Sequence, residues 1–208
     1  MQRSTNAWIL SSLAWALNNP RIEFLHLDGE NELLSALGMA SIQEPDSVWP
    51  EIFDRIWKSV EGLDPEQQRA RLEELQVEHT RLFFGPPYPA VLPYEHAYRE
   101  GGDAASLCSS IEADYRDMGF EVKGDFHDLP DHICVQLEFA ATLIEKGLEA
   151  PAKAFRFEHL QEFLVAFAKK LQAETSNVLL EIIALAMLGM ANEDEWCREA
   201  TESEELKT

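Results

Sequence analysis

The chain has 208 residues, of which 46% are apolar and 26% are charged, a composition typical of a globular protein and not of a disordered one. Its 17 lysines and arginines stand against 38 acidic residues, and the net charge of −21 disfavours binding to nucleic acid or anionic lipid and favours basic partners. The same acidity would also keep a protein in solution, so charge alone does not choose a function.

The three cysteines, Cys108, Cys134 and Cys197, are far apart, odd in number and outside any CxxC motif. The sequence therefore predicts neither a disulfide framework nor a zinc site, and this cysteine usage fits a reducing cytoplasm.

An apolar run near the N-terminus, residues 7–17, has the outline of a signal peptide. Only Arg3 stands where a basic region would be expected, and the run contains two tryptophans and two serines. These features favour the alternative, an amphipathic first helix with Ser4 or Thr5 as its N-cap.

Helical periodicity continues along the rest of the chain, whereas the alternating pattern of strands is hard to find. We expect an all-α fold, a single compact helical domain of roughly eight to ten helices with a proline-rich ordered connection. Further helices are predicted within residues 31–40, 46–62, 64–85, 103–120, 129–147, 155–172 and 176–191. One of these helices has clear boundaries: Asp64 is its predicted N-cap, Pro65 its first residue and Gly85 its end.

The chain is thus divided into an all-helical domain, residues 1–191, and an acidic C-terminal helix or tail, residues 192–208. The most apolar run, residues 178–191, is shorter than the roughly 20 residues that a spanning helix needs, and it contains Glu181. No membrane span is predicted.

One segment, residues 82–102, interrupts the helical pattern with an unusual density of prolines and tyrosines. They are Pro86, Pro87, Pro89 and Pro93, and Tyr88, Tyr94 and Tyr98. Prolines cannot continue a helix and restrict the residues before them, so residues 85–93 are predicted to form a stiff connection between two helices. Such a connection is either a recognition surface with exposed aromatic rings or a linker with its tyrosines packed down.

A group of histidines and aspartates, His127, Asp128, Asp131 and His132, is the most plausible place for catalysis. These residue types bind metals and transfer protons, but the two histidines are five positions apart with a proline between them, unlike ligands on one helix face. We expect Asp128 and Asp131 to cap a helix N-terminus instead. No nucleophile elbow, P-loop or dinucleotide-binding glycine pattern is present.

Two motifs resemble those of the TorD/DmsD/NarJ-type chaperones, which mature molybdenum-containing redox enzymes. Residues 82–86, LFFGP, match the first motif closely, and Pro93-Tyr94 and Tyr98 take the places of its later aromatic positions. Asp131-His132, followed by the apolar-acid-apolar residues 137–139, is similar to the second motif. Leu92 replaces the first of the paired prolines, and Glu95 and His96 stand where the family often has a small residue, departures that bear on the choice of client.

The resemblance implies a cytoplasmic, non-catalytic chaperone without a bound cofactor. Such proteins hold the catalytic subunit of a molybdopterin oxidoreductase until its cofactor is inserted, and many bind its twin-arginine leader. Because a leader carries adjacent arginines followed by an apolar stretch, its receptor should offer carboxylates beside an apolar groove.

The predicted binding residues follow from this chemistry. Negative charge would come from Glu95, Asp128 and Asp131, and the apolar wall would come from Phe83, Tyr88 and Tyr94. The shape of the connection would depend on Gly85, Pro86 and Pro93. His132 would fix the connection by hydrogen bonding. The connection and the start of the Asp131-His132 helix should face one another across the groove. The alternatives are a small metal-dependent hydrolase that uses the His127 cluster and a helical adaptor with an unrelated partner.

Overall fold

The computed structural model describes residues 4–27, 29–101, 103–121 and 128–192, and these residues form an all-α fold, as predicted. The α-helices are α1 (Thr5–Asn18), α2 (Glu32–Gln43), α3 (Trp49–Val60), α4 (Pro65–Phe84), α5 (Ala104–Asp117), α6 (Ile133–Glu145), α7 (Glu149–Phe155), α8 (Gln161–Glu174) and α9 (Val178–Asn192). Short 3₁₀ turns span Ile22–Leu25 and Glu95–Ala97. Across these ranges there is no β-strand, only one isolated antiparallel bridge.

The helices pack into one compact domain with α1 near its centre. α1 contacts α6, α2 and α9, and α8 packs against α9. Ile9, Leu10 and Leu13 of α1 are fully buried, so the apolar run at residues 7–17 forms part of the core. Ser4 is the N-cap residue, as predicted, but its side chain makes no capping bond. The Thr5 hydroxyl instead donates to Gln43 Oε1 at 2.6 Å.

α4 begins and ends as the sequence predicts. The Asp64 carboxylate accepts hydrogen bonds from the backbone N–H groups of Glu66 and Gln67, and the Gln67 side chain completes a capping box. At the other end the chain leaves the helix at Gly85 with an extended backbone. A Cβ atom at Gly85 would lie 2.3 Å from the Arg81 carbonyl oxygen, so only glycine fits this exit.

Residues 155–172 are helical throughout, as predicted, but they include an irregular turn that the sequence did not predict. The chain forms the short α7, then a π-helical turn at Arg156–Leu160, then α8. A π turn adds one residue to a helical turn and shifts the faces on either side of it. His159 and Leu160 point inwards, while Phe157 is 80% exposed.

No helix in the described ranges is both long and apolar enough to cross a membrane. The acidic residues 193–208 lie outside the described residues, so the predicted boundary between a helical domain and an acidic tail stays a prediction.

Candidate functional site

The proline-rich connection, taken from here on as residues 85–96, lies directly against the start of α6. Tyr94 and His132 form the isolated antiparallel bridge. The Glu95 N–H donates to the Asp131 carbonyl at 3.0 Å, and the Ile133 N–H donates to the Pro93 carbonyl at 2.8 Å. The structure therefore brings together the two motifs that are separate in the sequence.

Asp131 fastens the connection through its side chain as well. Its carboxylate is completely buried, accepts the His96 backbone N–H at 3.0 Å and lies 2.6 Å from His96 Nδ1. The Cys108 thiol points at its other oxygen at 3.5 Å. Burial first, and then the Asp131 charge, raise the pKa of the Cys108 thiol to about 11, which keeps it protonated as a donor at neutral pH.

The prediction that Asp128 and Asp131 cap α6 is therefore wrong. The N-cap residue is His132, whose Nδ1 accepts the Cys134 backbone N–H at 3.2 Å. Because α6 begins only at Ile133, the Asp131 carboxylate turns away to the donors of the connection. Burial lowers the pKa of His132 despite the nearby Asp128 and Asp131 charges, which favours the neutral imidazole that a capping acceptor requires.

Tyr94 and Asp128 form the exposed part of this arrangement. The Tyr94 hydroxyl donates to Asp128 Oδ1 at 2.6 Å, and the Asp128 side chain remains 35% exposed. Burial and then this carboxylate raise the pKa of Tyr94 to about 12, so the hydroxyl stays protonated. The Tyr94 ring meets the His132 ring edge-on with centroids 5.4 Å apart and stacks on the His96 ring at 5.6 Å. Tyr94 is thus held on three sides, and Asp128 is presented outwards.

A cavity of about 170 Å³ opens beside the bridge. Its walls include Phe83, Pro89, Pro93 and Ile133, and Tyr94, Asp128 and His132 lie along one side. Two of its lining residues, Phe84 and Leu92, are exposed at the rim. The site thus combines a small apolar cavity with one accessible carboxylate.

The other predicted residues fall into two groups. Pro86 and Tyr88 are exposed beside the cavity, and Gly85 forms the exit from α4. Glu95 is only 1% exposed, and its carboxylate is bound by Gln136 Nε2 at 2.6 Å, by Arg99 Nε at 2.5 Å and by His159 Nδ1 at 3.2 Å. In this arrangement the Glu95 and Asp131 carboxylates hold the fold together, and Asp128 alone of the three predicted carboxylates faces solvent.

Several residues of the site were missed from the sequence. His79, Leu17 and Phe167 line the cavity, and His79 Nε2 lies 2.7 Å from the Leu17 carbonyl. Burial lowers the pKa of His79, which favours a neutral ring that donates to this carbonyl. His79 stands four residues before Phe83, on the same helix face, and this spacing could have revealed it.

Within the described residues, no group of three or more His, Cys, Asp or Glu side chains is arranged to hold a metal ion. His127, the first member of the cluster considered for a hydrolase, lies outside the described residues.

A family model described as the nitrate reductase delta subunit matches residues 44–176, which is more than half of the chain. The crystal structure of a proposed redox enzyme maturation protein from Archaeoglobus fulgidus is similar, with a TM-score of 0.51 and 21% sequence identity, and the similarity covers 92% of this chain and 93% of that chain. At this identity the likeness shows a shared fold. No curated protein matches the chain significantly.

Proposed function

Because this chain belongs to the nitrate reductase delta subunit family, we propose that it is a maturation chaperone for the catalytic subunit of a molybdopterin oxidoreductase and that it binds the twin-arginine leader of that subunit. The leader is accessible to a chaperone only before export, so the proposed place of action is the cytoplasm. The proposal describes a binding protein and assigns no catalytic residue.

The observation that carries the proposal is the apolar cavity with Asp128 on its side. A leader presents arginines followed by an apolar stretch. The half-exposed Asp128 carboxylate can accept a charge-assisted hydrogen bond from an arginine, while the cavity beside it accommodates an apolar side chain. The exposed rings of Phe84 and Tyr88 extend the apolar surface beyond the cavity.

The connection is also rigid enough for recognition. It is fixed to α6 by two backbone hydrogen bonds and to Asp131 by His96, so these residues have little conformational freedom left to lose when a peptide binds. This arrangement explains why prolines and tyrosines are concentrated in one segment: the prolines keep the backbone stiff, and Tyr94 positions Asp128.

The test is calorimetric titration with synthetic leader peptides from the molybdoenzymes of the source organism, each compared with a version in which both arginines are lysine. We expect selective binding in the micromolar range or tighter, because the guanidinium matches a carboxylate in two hydrogen bonds and lysine does not. Binding should weaken as salt is raised.

A matched pair of variants locates the site. Asp128→Asn should weaken leader binding about tenfold, whereas Asp46→Asn, at an exposed carboxylate between α2 and α3, should leave it unchanged. Equal affinity of the Asp128→Asn variant and the unmodified protein would contradict the proposed site. Failure of every leader to bind a folded protein would contradict leader recognition.

A further inference from the structure

A second groove, of about 660 Å³, lies between the residues that follow the 3₁₀ turn at Glu95–Ala97 and the π turn. On one side it is lined by Tyr98, Arg99 and Glu100, which follow the 3₁₀ turn, and on the other by Phe157, Glu158 and Glu162 of the π turn and α8. None of its lining residues lines the cavity beside Tyr94 and Asp128. We call it the π-turn groove.

The π turn gives this groove an exposed aromatic ring. Phe157 is 80% exposed, whereas its neighbours Phe155 and His159 are buried. Burying such a ring against another surface is worth about 2 kcal/mol, so its exposure is a feature that the folding of the core does not require. π turns inside helices often occur at functional sites.

The charge of the groove is strongly negative. Glu100, Glu158 and Glu162 are exposed around it, and Arg99 is the one basic side chain among its described lining residues other than histidine. Arg99 is already paired with the buried Glu95 carboxylate and donates to the Glu158 carbonyl. The three rim carboxylates are therefore not neutralised by Arg99, and an anionic ligand would be repelled.

Apart from the rim carboxylates, the groove contains a buried imidazole, that of His159, with one unsatisfied nitrogen. Its side chain is 1% exposed and lines the groove, with Nδ1 at 3.2 Å from a Glu95 oxygen and at 3.5 Å from the Arg99 guanidinium. Its Nε2 is buried and makes no hydrogen bond. The carboxylate oxygens nearest to Nε2 are on Asp114 of α5, at 3.5 Å, and on Glu158 at the rim of the groove, at 4.0 Å. A buried imidazole nitrogen without a hydrogen bond is a polar group that a bound segment can satisfy.

We propose that the π-turn groove docks an extended basic segment of a partner protein, in which arginine or lysine alternates with apolar residues. The cations pair with the rim carboxylates, a backbone group of the segment hydrogen-bonds with His159 Nε2, and an apolar side chain covers Phe157. The negative rim and the exposed aromatic ring favour this chemistry over a nucleotide or an acidic peptide.

The test uses the full chain and a fluorescein-labelled probe, acetyl-Gly-Arg-Phe-Arg-Leu-Arg-Gly-amide, with binding followed by fluorescence anisotropy. The triple variant Glu100→Gln, Glu158→Gln, Glu162→Gln should bind about tenfold more weakly, because it loses three exposed charge pairs. The matched triple variant Glu61→Gln, Glu66→Gln, Glu73→Gln has the same net charge, and its substitutions are exposed on α4 and at the end of α3, outside the groove. It should retain the wild-type affinity within about twofold.

A second pair of variants tests the apolar contact without changing charge. Phe157→Ala should weaken the probe at least about fivefold, whereas Val77→Ala, at an exposed apolar residue on α4, should have no effect. The proposal is overturned if both triple variants lose affinity equally, since the probe would then sense only the acidity of the protein. It is also overturned if Asp128→Asn abolishes binding while the groove variants do not, or if the probe does not bind at all.

Discussion

At the scale of single residues, the buried carboxylate of Asp131 is the group on which the site depends most. It joins the segment around His96 to the start of α6 by accepting a hydrogen bond from the His96 backbone N–H, and it also accepts from the Cys108 thiol of α5. A buried acceptor that serves several donors stabilises more than an exposed one, because its removal leaves those donors without a partner in a place that water does not reach.

Asp131→Ala should therefore lower the free energy of unfolding by about 3 kcal/mol, as measured by urea denaturation. Asp128→Asn is the control variant. Because the Asp128 side chain is partly exposed, this substitution should change the free energy of unfolding by less than about 1 kcal/mol. If the two variants were equally stable, Asp131 would not hold the connection in the way that its contacts indicate.

The sequence identified Asp131 and His132 but not what they do. An aspartate beside a helix start is normally expected to cap it, and nothing in the residue order shows that His96 lies close enough to compete. Phe83 and Tyr94 could be predicted as apolar lining from the motif alone. Glu95 could not be predicted as buried, because its partners Gln136 and His159 come from helices far along the chain.

At the scale of elements, the exit from α4 sets the direction of the proline-rich connection. The Val91 N–H donates to the Leu82 carbonyl at 3.0 Å, which turns the chain back along the end of the helix just after Gly85. A side chain at Gly85 would meet backbone and not a movable side chain, so the helix end itself would have to shift.

Gly85→Ala should lower the unfolding free energy by about 2 kcal/mol and also weaken leader binding, since the connection that carries Tyr94 would be displaced. Gly29→Ala is the matched control, because a Cβ atom there meets no atom within 4 Å. Denaturation curves and calorimetry on both variants check the two effects. Wild-type stability of Gly85→Ala would show that the exit is more adaptable than its contacts indicate.

Helix starts marked by a cap and a proline, such as Asp64-Pro65, could be predicted from the sequence to the residue. The π turn could not. The apolar spacing around Phe155, Leu160 and Phe163 is compatible with one continuous helix, and the extra residue of the turn becomes visible only when packing decides which side chains are buried.

At the scale of the whole molecule, a protein with a net charge of −21 also encloses imidazole rings in its interior. Burial lowers the pKa of His79 and of His132 in the folded state. As the pH falls through about 6.5, the ordinary histidine value, these two residues therefore bind protons more readily in the unfolded chain than in the folded protein. The stability that they contribute above that pH is lost below it.

The unfolding free energy of wild type should accordingly fall more steeply between pH 7.5 and pH 5.5 than that of a His79→Gln variant. Protonation of surface carboxylates and relief of charge repulsion affect both proteins alike, so the difference between the two slopes isolates His79. Urea denaturation at several pH values provides the measurement. Identical slopes would mean that the His79 ring keeps its proton affinity on folding.

The central position of α1 determines when the protein can fold during its own synthesis. α1 is made before two helices against which it packs, α6, which begins at Ile133, and α9, which begins at Val178. α2 can cover part of α1 early, but the surface of α1 that packs on α6 has no native partner until α6 has been made. A protein proposed to guard other chains until they are complete must itself wait, with part of the apolar surface of α1 uncovered, until its later helices have been made.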